Sequence, residues 1–310
     1  MNKHPGSNIC PACSHAAFKH LGYDVPDYEY HVPYTPTLLC CGNCGLIRHE
    51  AIPDYDSLGS LYPDDYLVYN KSFKEASNAL YSRLKTYLYS MKAKKVAKYV
   101  GKTGNILDVG CANGAFLLSM KQFGNYRLYG LDIKNTGMDF SKYSIDFREG
   151  HLEEIEYPND FFDAIILDNV LEHVPDPVVF MDKIVSILKP GGYVFGTTPN
   201  FSSVDRFVFR QYWGGYHMPR HIYLFNANNL RMFMKNAGIS KIKFPITANA
   251  ADWAVSVQNF MRRKSKKQDR YRRAPYFPIV AMAFAPVAFI SSIFNMNGVM
   301  DFMCVNKENQ

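Results

Sequence analysis

From Asn105 to Thr198, short apolar runs alternate with segments of helical period, and this restricts the fold more than any other feature. Ile106–Val109 reads as a strand, followed by a turn holding Gly110 and Gly114 and a helix over Ala115–Gln122. Arg127–Leu131 reads as a second strand closing on Asp132, and a third ends near Arg148. Phe162–Leu167 is an apolar run apart from Asp163, as expected of a strand buried on both faces. Phe180–Leu188 reads as a helix stopped by Lys189-Pro190-Gly191-Gly192, with a fifth strand over Tyr193–Thr197. Further on, Asn228–Asn236 reads as a helix, Lys241–Phe244 as a strand and Val299–Val305 as the last strand. Such an order predicts an α/β, doubly wound sheet. Upstream, Ala76, Leu80, Leu84, Leu88, Met91 and Val96 recur at helical spacing, so Ser72–Tyr99 predicts one long amphipathic helix ended by Gly101 and Gly104.

Composition supports a buried core and excludes disordered, collagen-like and coiled-coil classes: 47% of the 310 residues are apolar and 20% charged. The net charge of +7 is local. Eight basic residues and one acid, Asp269, lie between Arg262 and Arg273, which accounts for the whole excess. Directly after them, Ala274–Met300 runs for 27 residues without a formal charge.

Five of the seven cysteines fall in the first 44 residues. No basic stretch leads into an apolar run at the N-terminus, so no signal peptide is expected. Cysteine pairs in a chain that is not secreted favour metal over disulfides. Cys10-Pro-Ala-Cys13 and Cys41-Gly-Asn-Cys44 each offer two thiolates to one face of a tetrahedral Zn2+, which predicts a zinc ribbon with a loop inserted between its knuckles. Cys40 is in a poorer register than Cys41. Four thiolates leave no open position, so the metal is expected to be structural and remote from the chemistry. Few lysines or arginines lie nearby, which argues against nucleic acid as a partner.

The run Ile106-Leu107-Asp108-Val109-Gly110-Cys111-Ala112-Asn113-Gly114 leads a strand through a tight turn into a helix, where free backbone N–H groups can meet a ligand. Asp132, at the end of the next strand, is placed for ribose hydroxyls. A nicotinamide site would prefer glycine at a third position of the run. The acid-first pattern instead resembles motif I of class I S-adenosylmethionine-dependent methyltransferases. Leu131-Asp132, the Phe162–Ile166 strand with Leu171-Glu172-His173-Val174, and Leu188-Lys189-Pro190-Gly191-Gly192 resemble that family's later motifs in the same order. The resemblance implies a Rossmann-like, seven-stranded sheet and S-adenosylmethionine held by Asp108, Gly110, Cys111, Asn113, Gly114, Asp132, Ile133, His151, Leu152 and Asn169. Two positions depart from the family pattern: Ala112 replaces the usual middle glycine, and Gly150-His151 stands where many members have Gly-Asp beside the adenine.

On the acceptor side, methyl transfer needs in-line positioning and removal of a proton, which suits a histidine near neutral pKa. The candidates are His173, after the fourth strand, and the run Tyr212–Phe225 with His217, Arg220 and His221. His173 and His217 are candidate bases, and Arg220 could pair with a phosphate or carboxylate. The three histidines could also hold a metal, though no spacing demands it. This run, with the cysteine-rich start, resembles a subgroup found in bacterial surface-polysaccharide biosynthesis, which implies a sugar, glycan or lipid-linked acceptor. Leu171–Pro177 also resembles the ubiquinone-pathway O-methyltransferases, which implies a quinone or other lipid-like acceptor. A binding scaffold that kept the fold without catalysis is the reading from another class.

The sheet's last strand follows the uncharged segment, so the chain must return to the side it left, which excludes a single membrane crossing. Pro278 and Pro286 are expected to break a helix there. Basic residues followed by apolar ones predict attachment to an anionic membrane surface, with the protein cytoplasmic and peripheral on the inner face of the cytoplasmic membrane, and an apolar dimer surface is the alternative use of the segment. The expected units are a zinc ribbon over 1–70, a methyltransferase domain over 71–245 plus 299–310, and a helical insertion over 246–298. The oligomeric state is not legible.

Overall fold

The computed structural model describes residues 8–62, 79–263 and 274–307. Residues 72–78 of the expected long helix, and six of the eight basic residues (Lys264, Lys266, Lys267, Arg270, Arg272 and Arg273), lie outside the described residues.

The chain begins with three short strands, β1 (Phe18–His20), β2 (Leu38–Cys41) and β3 (Ile47–His49), followed by helices α1 (Tyr55–Ser60) and α2 (Ala79–Val100). The main sheet then builds through β4 (Thr103–Val109), α3 (Ala115–Met120), β5 (Asn125–Asp132), β6 (Ile145–Glu149), β7 (Phe162–Asp168), α4 (Pro177–Ile187) and β8 (Leu188–Pro199). After α5 (Val204–Phe209) come β9 (Tyr223–Leu224), α6 (Ala227–Asn236), β10 (Ile239–Lys243), α7 (Ala251–Arg262), α8 (Phe277–Ile293) and β11 (Val299–Asn306).

Seven strands lie in the order β10-β11-β8-β7-β4-β5-β6. From β8 to β6 neighbours are parallel, whereas β11 runs antiparallel to both β8 and β10. The expected α/β doubly wound, seven-stranded sheet is therefore present. Period-two alternation divides its core. Ile106 shares one cluster with Val96, Leu117 and Met120 of α2 and α3, while Leu107 shares the other with Phe180, Ile184 and Phe233 of α4 and α6. Each such fully buried side chain contributes roughly 1.5–3 kcal/mol. Helix starts follow local chemistry. Asp176 accepts hydrogen bonds from the Val178 and Val179 amides at the start of α4, with Pro177 in its first turn. Asn226 and Asn229 form a reciprocal cap on α6.

Three expectations change. In α2, Leu88 and Met91 are exposed, and the buried stripe is Ala93 and Val96. Pro286 does not break α8, which runs through it as one helix, and Pro278 sits in the first turn, where a missing N–H costs nothing. The N-terminal unit also does not stand apart. β9, from the Tyr212–Phe225 run, is the fourth strand of its sheet (order β1-β2-β3-β9), with Ile47 opposite Leu224 and Arg48 opposite Tyr223.

Candidate active site

A cavity of about 690 Å³ opens at the carboxyl ends of β4, β5, β7 and β8, where open α/β sheets bind ligands. At one end the β4–α3 turn approaches it. Gly110 has φ +72°, and a Cβ there would lie 2.9 Å from Val170 Cγ2, so only glycine fits. Ala112 also takes a left-handed φ, +48°, which explains why a glycine is usual at this position. Its amide donates to Asp132 Oδ2 at 2.8 Å, so the acid braces the turn as well as facing the cavity. Asp108, Gly110, Cys111, Asp132, Ile133, His151, Leu152 and Asn169 all line the cavity. Asn113 and Gly114, also expected to touch the cofactor, are not among the residues that line the cavity. Asn113 Oδ1 takes the Ala115 amide at 3.4 Å, and Gly114, at φ +66°, leads into α3. Burial, the nearby Asp168 and, more weakly, Asp132 push the Asp108 carboxyl well above its usual range, with Lys92 opposing them.

The N-terminal segment closes this end. Tyr55 stacks on His151 with ring centroids 3.7 Å apart and 22° between planes, and its hydroxyl donates to Glu153 at 2.7 Å. Leu58 adds to the wall, and Tyr62 reaches further along it, its hydroxyl 3.1 Å from His173 Nδ1. No sequence motif marks these residues, because their place depends on a fold-back across about 100 positions.

At the other end stand His173, His217 and His221. The rings of His173 and His221 are 4.6 Å apart, and those of His217 and His221 are 5.0 Å apart. Protein groups occupy both His217 nitrogens: Nδ1 is 2.7 Å from Glu29 Oε1, and Arg220 Nε donates to Nε2 at 3.1 Å. His217 is therefore poorly placed as the base. Arg220 is not placed for an acceptor anion either. It is fully buried, pairs with Asp27 at 2.9 and 3.2 Å, and donates to the Met218 carbonyl. This pair explains an arginine in the loop better than a ligand would: an unpaired buried guanidinium would cost several kcal/mol, on the order of 3–5. Burial, and the charge of neighbouring His217, lower His173 to about 3, and burial holds His221 well below its usual value. Both rings are neutral, and neither matches the near-neutral base expected from sequence.

Residues 81–243, just over half of the chain, match a sequence family described as a methyltransferase domain. The chain belongs to the methyltransferase-domain family. Among curated relatives, this methyltransferase domain is 32% identical over 113 residues to a ubiquinone biosynthesis O-methyltransferase of Nitrosospira multiformis, covering 34% of this chain and 46% of that one. To the protein of the same description from Chromobacterium violaceum it is 34% identical over 119 residues, covering 34% and 47%. The chain thus spans less than half the length of these curated relatives. Among solved structures, a SAM dependent methyltransferase from Archaeoglobus fulgidus is 17% identical, with a TM-score of 0.48 over 72% of this chain and 94% of that one.

The methyltransferase domain is joined to the cysteine cluster through the N-terminal sheet. Cys10, Cys13, Cys41 and Cys44 bring their four sulfurs within 4.8 Å of one another. Cys10 and Cys44 Sγ are 3.6 Å apart, Cys13 and Cys41 Sγ 3.5 Å, and no disulfide joins them. A tetrahedron with Zn–S of about 2.3 Å has edges near 3.8 Å, so the set fits Zn2+. Cys40 lies outside the cluster, its Sγ turned to the Cys41 carbonyl. The cluster is tied into the methyltransferase domain. Asn229 and Asn236 of α6 donate to the Cys44 and Ala12 carbonyls, and the same N-terminal segment supplies Tyr55 and Leu58.

Proposed function

We propose that this chain transfers the methyl group of S-adenosylmethionine to a hydroxyl of a quinone-like or other lipid-like small molecule at a membrane surface. The observation that carries the reading is one continuous cavity, with the Gly110 turn and Asp132 at one end and a cluster of histidines at the other. When bound, the cofactor supplies a sulfonium methyl already activated for displacement. Asp132 would hold the ribose hydroxyls, the backbone at Gly110 would admit the amino-acid part, and Tyr55 with His151 would wall the adenine. The histidine end would orient the acceptor hydroxyl. Relatives described as ubiquinone biosynthesis O-methyltransferases support an acceptor of this class. A structural Zn2+ on Cys10, Cys13, Cys41 and Cys44 would hold the N-terminal sheet against the cavity.

The membrane belongs to the same proposal, with the protein peripheral on the inner face of the cytoplasmic membrane. Helices α7 and α8 bury polar side chains beside Trp253, Ala254, Phe277 and Ala288, and leave large apolar ones outward on α7, on α8 and at its C-cap Phe294. Ser256, Gln258, Asn259, Ser291 and Ser292 are buried, while Met261, Met282, Phe289, Ile290 and Phe294 are exposed. Such exposed apolar side chains suit a bilayer interface. Among the described residues no helix is long and apolar enough to cross a membrane. Asp252 and Val255 of α7 line the cavity, so an acceptor leaving the lipid would meet it directly. A second reading, a lipid-linked sugar, is favoured by the polar walls Glu29, Asp168, Thr197 and Asp252.

Transfer of tritiated methyl from S-adenosylmethionine separates the two. With a polyprenylated catechol and with lipid-linked sugars as acceptors, label is expected in the catechol as an acid-stable ether. Label confined to the sugar lipid would overturn the quinone-like reading, and label in neither would overturn both.

A further inference from the structure

We propose that Glu172, His173 and His221 form a binding site for a divalent first-row metal ion, separate from the cysteine cluster, at the acceptor end of the cavity. Glu172 and His173 lie in the short turn Leu171–His173 after β7, and His221 comes from the loop before β9. Glu172 is fully buried. Thr198 Oγ1 donates to its Oε2 at 3.0 Å, but Oε1 has no hydrogen-bond partner and lies 4.0 Å from His221 Nε2. His221 Nδ1 is 3.0 Å from the Gly215 carbonyl. A carbonyl only accepts, so Nδ1 carries the hydrogen and Nε2, the atom 4.0 Å from Oε1, keeps its lone pair. His173 Nδ1 is anchored in the same way on the Arg220 carbonyl at 2.9 Å. One ligand atom from each of the three residues lies within 4.8 Å of the others.

The result is an acceptor-rich corner where, among the described residues, no donor reaches Glu172 Oε1. Buried carboxylates are paired, protonated or bound to metal. Two imidazoles held through Nδ1–H on backbone carbonyls, beside one carboxylate, are arranged as metal-bound histidines are. Two nitrogens and one oxygen suit Mn2+, Fe2+, Co2+ or Zn2+ and leave positions open. His173 and His221 line the cavity, so those positions face it. Ligands about 2.1 Å from a metal sit roughly 3–3.4 Å apart, so Glu172 and His221 need to close by about 1 Å or less, and ligand atoms as far as 4.8 Å apart by about 1.5–2 Å.

What the metal would do rests on the methyl-transfer reading. An acceptor hydroxyl on an open position would be more acidic. Its proton would leave to solvent, the oxygen would form the new O–CH3 bond, and the C–S pair would return to sulfur as a neutral thioether. This accounts for a site whose two histidines are poor bases.

The test uses the full-length protein, with Mn2+ and Co2+ as probes. Titrated Mn2+ is expected to lose its free-ion electron paramagnetic resonance signal at one equivalent in the wild type. Glu172→Gln should weaken that binding at least tenfold. Cys41→Ser should leave it intact. Co2+ should give thiolate charge-transfer bands from the cysteine cluster in the wild type and in Glu172→Gln, with additional d–d bands only when Glu172 is present. If the wild type leaves Mn2+ free and takes up Co2+ only with thiolate bands, the site does not exist, whatever the variants do. Calorimetry of S-adenosylmethionine on the same samples keeps the methyl-transfer reading separate: cofactor binding without Mn2+ binding overturns the metal site alone.

Discussion

Asp252 lies on the buried side of α7, where Oδ2 has no hydrogen-bond partner among the described residues. Burial, and then the neighbouring carboxyls Asp205 and Glu29, push it from 3.8 up to about 8. The folded chain therefore keeps a proton through a range in which the unfolded chain has released it. Stability from this group is complete below about pH 4 and is lost as the pH rises through 8. Asp252→Asn should thus gain on the wild type steadily from about pH 4 to pH 8, read as the difference in thermal midpoint at each pH. A constant difference would mean that Asp252 is ionised throughout. At the cofactor end, Asp132→Ala removes the acceptor for the Ala112 amide and the proposed ribose contact. Charge-assisted hydrogen bonds are worth about 1.5–3 kcal/mol, so affinity for S-adenosylmethionine should fall at least tenfold by calorimetry. The position of Asp132 is readable in sequence because a strand end and a glycine turn fix its place locally. The burial of Arg220 is not, because its partner Asp27 is 193 positions away and no spacing records that pairing.

Among the elements, the parallel strands are the most legible. A strand covered on both faces must be apolar at every position, and Phe162–Leu167 is so, apart from Asp163 near its start. The two-residue β9 carries no such signal and is set by β3. Helical spacing misplaces the stripe on α2, because Leu88 and Met91 keep the period but lie on the side turned from the sheet. Cysteine spacing finds the four clustered thiols, yet hides that their sheet takes its fourth strand from the Tyr212–Phe225 run. Cys41→Ser is expected to release one equivalent of zinc by metal analysis. It should also weaken S-adenosylmethionine binding several-fold, since Tyr55 and Leu58 belong to the loosened segment. Loss of zinc with unchanged cofactor affinity would show that the segment stays in place without it.

At the scale of the whole molecule, exposed apolar side chains gather on α5 and on α8 with its C-cap, near the basic end of α7 in sequence. Met282 and Phe294 are 68% and 69% exposed, α5 adds Phe207 and Val208, and Arg262 and Arg263 stand at the end of α7. An apolar helix and a basic cluster each bind a bilayer weakly, and together they hold it. Salt screens the second and not the first. Full-length protein should float with anionic liposomes and be only partly released by salt. Neutralising Arg262, Arg263, Lys264, Lys266 and Lys267 should make the remainder independent of lipid charge. Failure to float with any composition would remove the membrane from the proposal.

The pairing of β3 with β9 also sets what can be exchanged between relatives. A chimera that replaces only residues 8–62 would meet a foreign edge at Tyr223–Leu224, and its new first sheet would end one strand short. Trading that segment together with 213–225 moves the cysteine cluster, the Asp27–Arg220 pair and the histidine loop as one inheritable block. Any successful transplant of acceptor preference should therefore need two cuts far apart in the gene.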